Sequence, residues 1–218
     1  MFRPIVRLAG LAALALLGIS LLSPGLAGSA PRPGVRARAP LPAAGQRVAT
    51  FAGGCFWSMQ KAFDGVPGVA AVTAGYAGGT KADPTYEDVE TGKTGHAESV
   101  EVAYDPARIS YEQLLDVYWH HIDPLTLNSA FCDYGPQYRS IIFYHDAQQK
   151  AAAEASKVAL EKRFGRKIVT DILTAGPFYI AEDYHQDYAK KNPVRYHFYR
   201  FNCGRDQRLE AVWGSVPH

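Results

Sequence analysis

The chain has 218 residues, with 23 Lys+Arg against 21 Asp+Glu and a formal net charge of +2, too balanced for the basic stripe of a nucleic-acid binder. At 47% hydrophobic and 20% charged it is too apolar for a disordered chain, and three cysteines are too few for a disulfide-stapled mini-protein. What is left is one packed domain with a sizeable core.

Residues 1–30 read as an address. Arg3 and Arg7 precede an uncharged apolar run over 8–22, followed by the small residues Gly25, Ala27, Gly28, Ser29 and Ala30. This is the order of a signal peptide, with cleavage near Ala27 or Ala30. Ala27 is preferred, because Pro31 directly follows Ala30. An uncleaved membrane anchor is the alternative. The expected location is outside the cytoplasm, in the periplasm. Removing Arg3 and Arg7 leaves 21 basic and 21 acidic residues, a neutral remainder. Residues 31–46, with Pro31, Pro33, Pro40, Pro42, Arg32, Arg36 and Arg38, form a linker that cannot bury a core. Residues 47–218 are expected to be a single domain including the C-terminal tail.

Within that domain, residues 48–52 predict a buried strand stopped by Gly53-Gly54. Residues 55–63 predict a helix, ended at 64–68. A β-branched run over 69–76 predicts a strand, and the polar stretch 81–95 a long ordered loop. Residues 99–104 alternate polar and apolar, a half-buried strand. Ser110 and Gln113 form a capping box for a helix carrying Leu114, Leu115, Tyr118 and Ile122, ended by Asp123-Pro124. A loop over 125–135 leads to a strand at 140–144. Asp146 caps a helix to about 164. A strand at 167–173 and a short helix at 182–191 follow, and the last 25 residues show no clear period. Alternating strands and helices predict a sheet with helices packed on it, of α/β or α+β class.

Cys55 follows two glycines and opens a predicted helix, whose free N–H groups and dipole favour a thiolate. A buried structural cysteine is the equal alternative. Phe56 and Trp57 place aromatic rings beside it. Glu98, in Gly95-His96-Ala97-Glu98, sits at a strand edge where burial would raise its pKa and make it a general acid, although the spacing alone favours a solvated loop carboxylate. His96 is a candidate base. Tyr86, Asp133, Tyr134 and Tyr138 offer polar groups to a pocket. No Cys-x-x-Cys occurs, and His120, His121 and Asp123 lack the spacing of metal ligands, so no metal is expected. The glycines around Tyr76 lack a P-loop lysine.

The blocks Gly54-Cys55-Phe56-Trp57, Gly75-Tyr76-Ala77-Gly78-Gly79, Pro84-Thr85-Tyr86, Gly95-His96-Ala97-Glu98, residues 133–140 and Glu182-Asp183-Tyr184-His185-Gln186 stand in the order seen in A-type peptide methionine sulfoxide reductases, which the chain resembles over residues 48–193. The resemblance implies an α/β (α+β) ferredoxin-like two-layer sandwich with a mixed sheet. It implies thiol-dependent reduction of methionine (S)-S-oxide, free or in proteins, without a bound cofactor. Cys55 would attack the sulfoxide sulfur, and Glu98 would protonate its oxygen, helped by Tyr86 and Tyr138. Phe56 and Trp57 would cage the S-methyl group, and Asp133 would shape the polar side. Such a site needs a raised carboxyl pKa and a lowered thiol pKa.

Cys55 sulfenic acid would condense with a second thiol and be recycled by a thioredoxin-like dithiol. Cys203, in a tail expected to be mobile, is the candidate resolving cysteine. Cys132 is its competitor or a passive small residue. The sequence departs from the family at Ser58, where glycine is common, and in having one cysteine in its tail. A monomer without nucleic-acid partners is expected. Two rival readings remain: a cysteine hydrolase using Cys55 with His96 or His185, and a non-catalytic module that binds Met-rich segments.

Overall fold

In the computed structural model, which describes residues 42–214, Arg47–Ala52 is strand β1, followed through the Gly53-Gly54 turn by helix α1, Phe56–Phe63. The expected signal peptide 1–30, with its cleavage near Ala27 or Ala30, and the linker up to residue 41 lie outside the described residues. In chain order come β2 (Val69–Ala77), α2 (Tyr86–Glu90), β3 (Ala97–Tyr104), α3 (Tyr111–His120), β4 (Ser129–Ala130), β5 (Asp133–Tyr134), a 3-10 turn at Pro136–Tyr138, and β6 (Ile141–Tyr144). The remainder is α4 (Ala147–Phe164), β7 (Asp171–Thr174), β8 (Phe178–Ile180), α5 (Tyr188–Lys191), α6 (Pro193–Asn202) and α7 (Arg205–Trp213).

Six strands form one sheet in the order β7-β6-β1-β3-β2-β8. β6 and β7 pair parallel, and every other neighbour pairs antiparallel. The central four, β6-β1-β3-β2, are filled by β1-α1-β2 and β3-α3-β6 crossovers, the ferredoxin-like arrangement with a mixed sheet. The second strand of each crossover skips one neighbour, and α1 packs over β2 and β3 with α3 at its side.

The pleat explains the core. Ala49, Phe51, Ala74, Tyr76, Val100, Val102, Tyr104 and Ile142 meet the helices, while Ala52, Ala77, Ala97, Ile141 and Phe143 fill a smaller cluster with Phe178 on the other face. Phe51 lies between Phe63 and Tyr118, with ring centroids 5.3 and 4.9 Å away. Burying such a ring stabilises the fold by roughly 1.5–3 kcal/mol. Tyr118 passes through this layer and donates to the Ala52 carbonyl at 2.9 Å, fixing the end of β1 just before the site. The Ser110–Gln113 capping box forms as the sequence predicts, with both reciprocal bonds in place.

Several elements differ from the sequence reading. The expected loop over 81–95 holds α2, started by a second capping box in which Asp88 replaces the usual glutamate. The expected helix at 182–191 shortens to α5, because Gln186 is spent on strand β2: it accepts from the Ala74 N–H and donates to the Ala74 carbonyl. The strand expected at 167–173 begins only at Asp171. The tail without a period contains α6 and α7. α6 carries buried Tyr196 on one side and exposed Val194, Phe198 and Phe201 on the other, so apolar residues on both faces blur its helical signal.

Candidate active site around Cys55

The turn before Cys55 requires glycine. Gly54 has φ +84°, and a Cβ there would lie 2.5 Å from the Ala130 Cβ. This approach brings β4, and with it Cys132 and Asp133, up to Cys55. Cys55 is the N-cap of α1, and its carbonyl accepts the N–H groups of Ser58 and Met59 at 3.1 and 3.2 Å.

Glu98 enters from β3. It shares a face with Val100, Val102 and Tyr104, so its side chain enters the helix layer at the N-terminus of α1. There Glu98 Oε2 accepts the Phe56 N–H at 2.9 Å. Only 3% of Glu98 is exposed, and burial pushes its carboxyl up to about 8. The carboxylates of Asp133 and Glu90 raise it further, against the Phe56 N–H, which lowers it. The group is therefore a neutral acid over most of the physiological range.

The thiol behaves differently from the expectation of a lowered pKa. Burial pushes Cys55 well above the ordinary thiol value, and the nearby acids Glu98 and Asp133, when ionised, push the same way. Contacts from Tyr199 and the Trp57 N–H oppose this only in part. Burial dominates, and the Phe56 N–H at the start of the helix goes to Glu98 rather than to the sulfur. The resting thiol is protonated.

The Tyr199 hydroxyl is in hydrogen-bonding contact with the Cys55 sulfur and donates to Asp133 Oδ2 at 2.6 Å. This forms a continuous chain, Cys55–Tyr199–Asp133. Sequence reasoning missed Tyr199, because it lies on α6 in the segment without a period. The available signal was Pro193 at the helix start with Tyr196 and Tyr199 three apart on one face. Tyr86 begins α2 and Tyr138 ends the 3-10 turn, and burial holds both hydroxyls protonated. Both interact electrostatically with Glu98.

Trp57 is partly exposed, stacked on Tyr188 at 3.7 Å and edge-on to Tyr199 at 5.8 Å. Its indole N–H donates to His185 Nδ1 at 3.0 Å. Phe56 is almost wholly buried against His185 and Tyr76. His96, considered as a base for Cys55, bridges a loop instead: its Nδ1 accepts from the Gly79 N–H at 3.1 Å, and its Nε2 meets the Lys81 carbonyl at 2.8 Å. His120 and His121 each place Nδ1 on a carbonyl of their own helix, and Asp123 pairs with Arg208.

Cys203 is joined to Cys132 by a disulfide, and Cys55 is free. Two expectations are corrected by this. Cys203 is not in a mobile tail: it is the C-cap of α6, 8% exposed, and left-handed Gly204 leads straight into α7. Cys132 is not a passive small residue. It is exposed, and its N–H lies 3.1 Å from the Cys203 sulfur. Among the described residues, one group of candidate metal ligands clusters, Cys132, Asp133 and Cys203, and its two sulfurs are bonded to each other.

A buried free thiol beside a neutral carboxyl and a separate disulfide is the apparatus of a thiol-based oxidoreductase. The family profile described as peptide methionine sulfoxide reductase matches residues 47–216, and the chain belongs to that family. It is 50% identical over 171 residues to peptide methionine sulfoxide reductase MsrA of Bacillus licheniformis, covering 78% of this chain and 94% of that one. Against the MsrA of Bacillus subtilis it is 48% identical over 172 residues, 78% and 97% of the two chains. Among solved structures, methionine sulfoxide reductase A of Corynebacterium diphtheriae superposes with a TM-score of 0.64 at 35% identity, over 69% of this chain and 77% of that one. Reduced Mxr1 from Saccharomyces cerevisiae gives 0.66 at 32%, over 73% and 91%.

Proposed function

We propose that this peptide methionine sulfoxide reductase reduces methionine (S)-S-oxide, free or in proteins, through Cys55, and returns to the reduced state through Cys203, Cys132 and an external thioredoxin-like dithiol. The observation that carries this reading is the free Cys55 thiol, hydrogen-bonded through Tyr199 to Asp133, next to a disulfide joining the chain's other two cysteines.

The chemistry follows from the site. A sulfoxide oxygen leaves poorly until it is protonated, and Glu98 is held as a neutral acid to supply that proton. Cys55 becomes nucleophilic by losing its proton along Tyr199 to Asp133. Tyr86 and Tyr138, whose hydroxyls lie near Glu98, are the proposed donors to the oxygen, Tyr86 giving up its bond to Glu90, and Trp57, backed by Phe56, offers an apolar wall to the S-methyl group. The sulfur–oxygen bond of the substrate breaks, methionine leaves, and Cys55 carries the oxygen as a sulfenic acid. The Cys203 thiol condenses with it, forming a Cys55–Cys203 disulfide and releasing water. Cys132 thiolate then attacks the Cys203 sulfur, forms the Cys132–Cys203 bond seen here, and frees Cys55.

Exposure selects the sulfur that meets the external dithiol. Cys132 is open to solvent and Cys203 is buried, so an incoming thiolate reaches Cys132. Cys203 then leaves as a thiolate, with the Cys132 N–H at 3.1 Å to hold the charge.

The test is mass mapping of the cysteines after one round of methionine sulfoxide without reductant. The expected product is the Cys132–Cys203 disulfide with Cys55 as a thiol. Cys132→Ser should stop at Cys55–Cys203. Cys203→Ser should yield about one methionine per enzyme with a dithiol protein as reductant. Sustained turnover by Cys203→Ser at the wild-type rate would overturn the relay.

The protein is proposed to act after export to the periplasm. The basic Arg3 and Arg7, the apolar run over 8–22 and the small residues to Ala30 support this. The intact mass of the protein recovered from producing cells should correspond to a chain starting at Gly28. A mass including Met1 would favour the uncleaved anchor.

A further inference from the structure

Arg205 is a fully buried guanidinium that the relay described above does not use. Its Nη2 donates to the His121 carbonyl at 2.8 Å and to the Gly53 carbonyl at 3.3 Å. Its guanidinium carbon lies 4.2 Å from the centre of the Phe131 ring. Its Nη1 lies beside Gly54, 3.5 Å from where a Cβ would stand. In the chain it follows Cys203-Gly204 directly. One side chain therefore touches the turn that carries Cys55 and the residue before Cys132, and is itself two residues after Cys203.

Its remaining donors are unusual. Nε and Nη1 are buried and donate to no protein acceptor among the described residues. A buried cation with unused N–H groups is costly to the fold, so its retention calls for an anion that forms there. Among the described residues no carboxylate forms an ion pair with it: Asp133, whose pKa burial raises and this charge lowers, is bonded to Tyr199, and Asp123 is paired with Arg208. The anions that the relay generates among these three turns are thiolates.

We propose that Arg205 is the positioning residue of the thiol relay, holding the three cysteine-bearing turns together and presenting its unused N–H groups to the thiolates formed as the disulfide passes between them. The inference rests on the relay. In each exchange a thiolate sulfur attacks a disulfide sulfur and a second thiolate leaves, so charge is conserved and a fixed cation serves both sides of the step. The cation–π contact with Phe131 lowers the cost of burying the charge at this point.

The experiment mixes reduced full-length enzyme with one equivalent of methionine sulfoxide, without reductant, and quenches with acid at intervals. Mass spectrometry then follows methionine, Cys55 sulfenic acid trapped by a 1,3-dione, and the Cys132–Cys203 disulfide, from about pH 6.5 to 8.5. Arg205→Gln keeps a donor for the backbone carbonyls and removes the charge. It should still form one methionine per enzyme but make the disulfide about tenfold more slowly or worse, the smallest change in thiolate population expected when a nearby cation is lost. Its rate should rise with pH more steeply than that of the wild type. Arg205→Lys keeps the charge and should keep the wild-type pH profile.

Wild-type disulfide kinetics in Arg205→Gln would overturn the inference and leave the relay standing. A steep pH profile in Arg205→Lys would overturn it too, and this arm decides if Arg205→Gln does not fold. Absence of the Cys132–Cys203 disulfide in the wild type would overturn the relay and the inference together.

Discussion

Replacing Cys55 by serine is expected to lower the rate of methionine sulfoxide reduction by roughly three orders of magnitude or more, as loss of the attacking group does in other covalent mechanisms. The fold should survive. Serine is slightly smaller, and its hydroxyl can keep the contact with Tyr199, so the buried polar chain to Asp133 stays satisfied. The loss is chemical: a serine hydroxyl does not ionise near neutral pH and does not accept oxygen to give a sulfenic acid. The measurement is methionine formed per enzyme in a single turnover without reductant. Wild-type protein should form one equivalent, and Cys55→Ser none, with an unchanged melting temperature. Full activity in this variant would eliminate the thiol mechanism. It would also leave the hydrolase reading without its nucleophile, because both rest on the same sulfur.

Glu98→Gln is expected to slow oxygen transfer by roughly 10²–10⁴-fold, the usual worth of a positioned general acid. The amide keeps the shape and can still accept the Phe56 N–H, but it has no proton to deliver at a useful pKa. The pH profile provides a second, independent readout. The folded carboxyl is raised from 4.5 to about 8, first by burial, so the wild-type rate should hold below about pH 8 and fall above it. This descending limb should be absent in Glu98→Gln. Stability should follow the same group. With a folded pKa above the unfolded one, the neutral carboxyl contributes stability in full below about pH 4.5 and loses it as the pH rises to about 8. Glutamine stays uncharged, so the melting temperature of Glu98→Gln should gain on that of the wild type between about pH 4.5 and 8. An equal rate and an unchanged pH profile would remove Glu98 from the role of acid.

Around these two residues the signals are local, although the residues alone left a structural Cys55 and a solvated Glu98 open and the ordered family blocks singled them out. Gly53-Gly54-Cys55 ends a strand and opens a helix within a few residues, and Glu98 shares the period-two face of Val100, Val102 and Tyr104. The βαβ-βαβ framework was legible for the same reason, since strand and helix periods and the Ser110–Gln113 cap are written in adjacent residues. Tyr199 and Arg205 were not. Both lie where apolar residues on two helix faces hide the period, and their importance comes only from what they touch.

By itself, the sequence determined which residues can do chemistry and the elements that carry them, because propensity, capping and alternation act over a few neighbours. Only the tertiary structure decided how these groups are charged and paired. The thiol is held protonated chiefly by burial, at a site that also receives acids from β3 and β5. The partner of Cys203 is Cys132, 71 residues away. Pairing and protonation depend on distances and dielectric between segments remote in the chain, and such distances exist only once the sheet and its helices have packed.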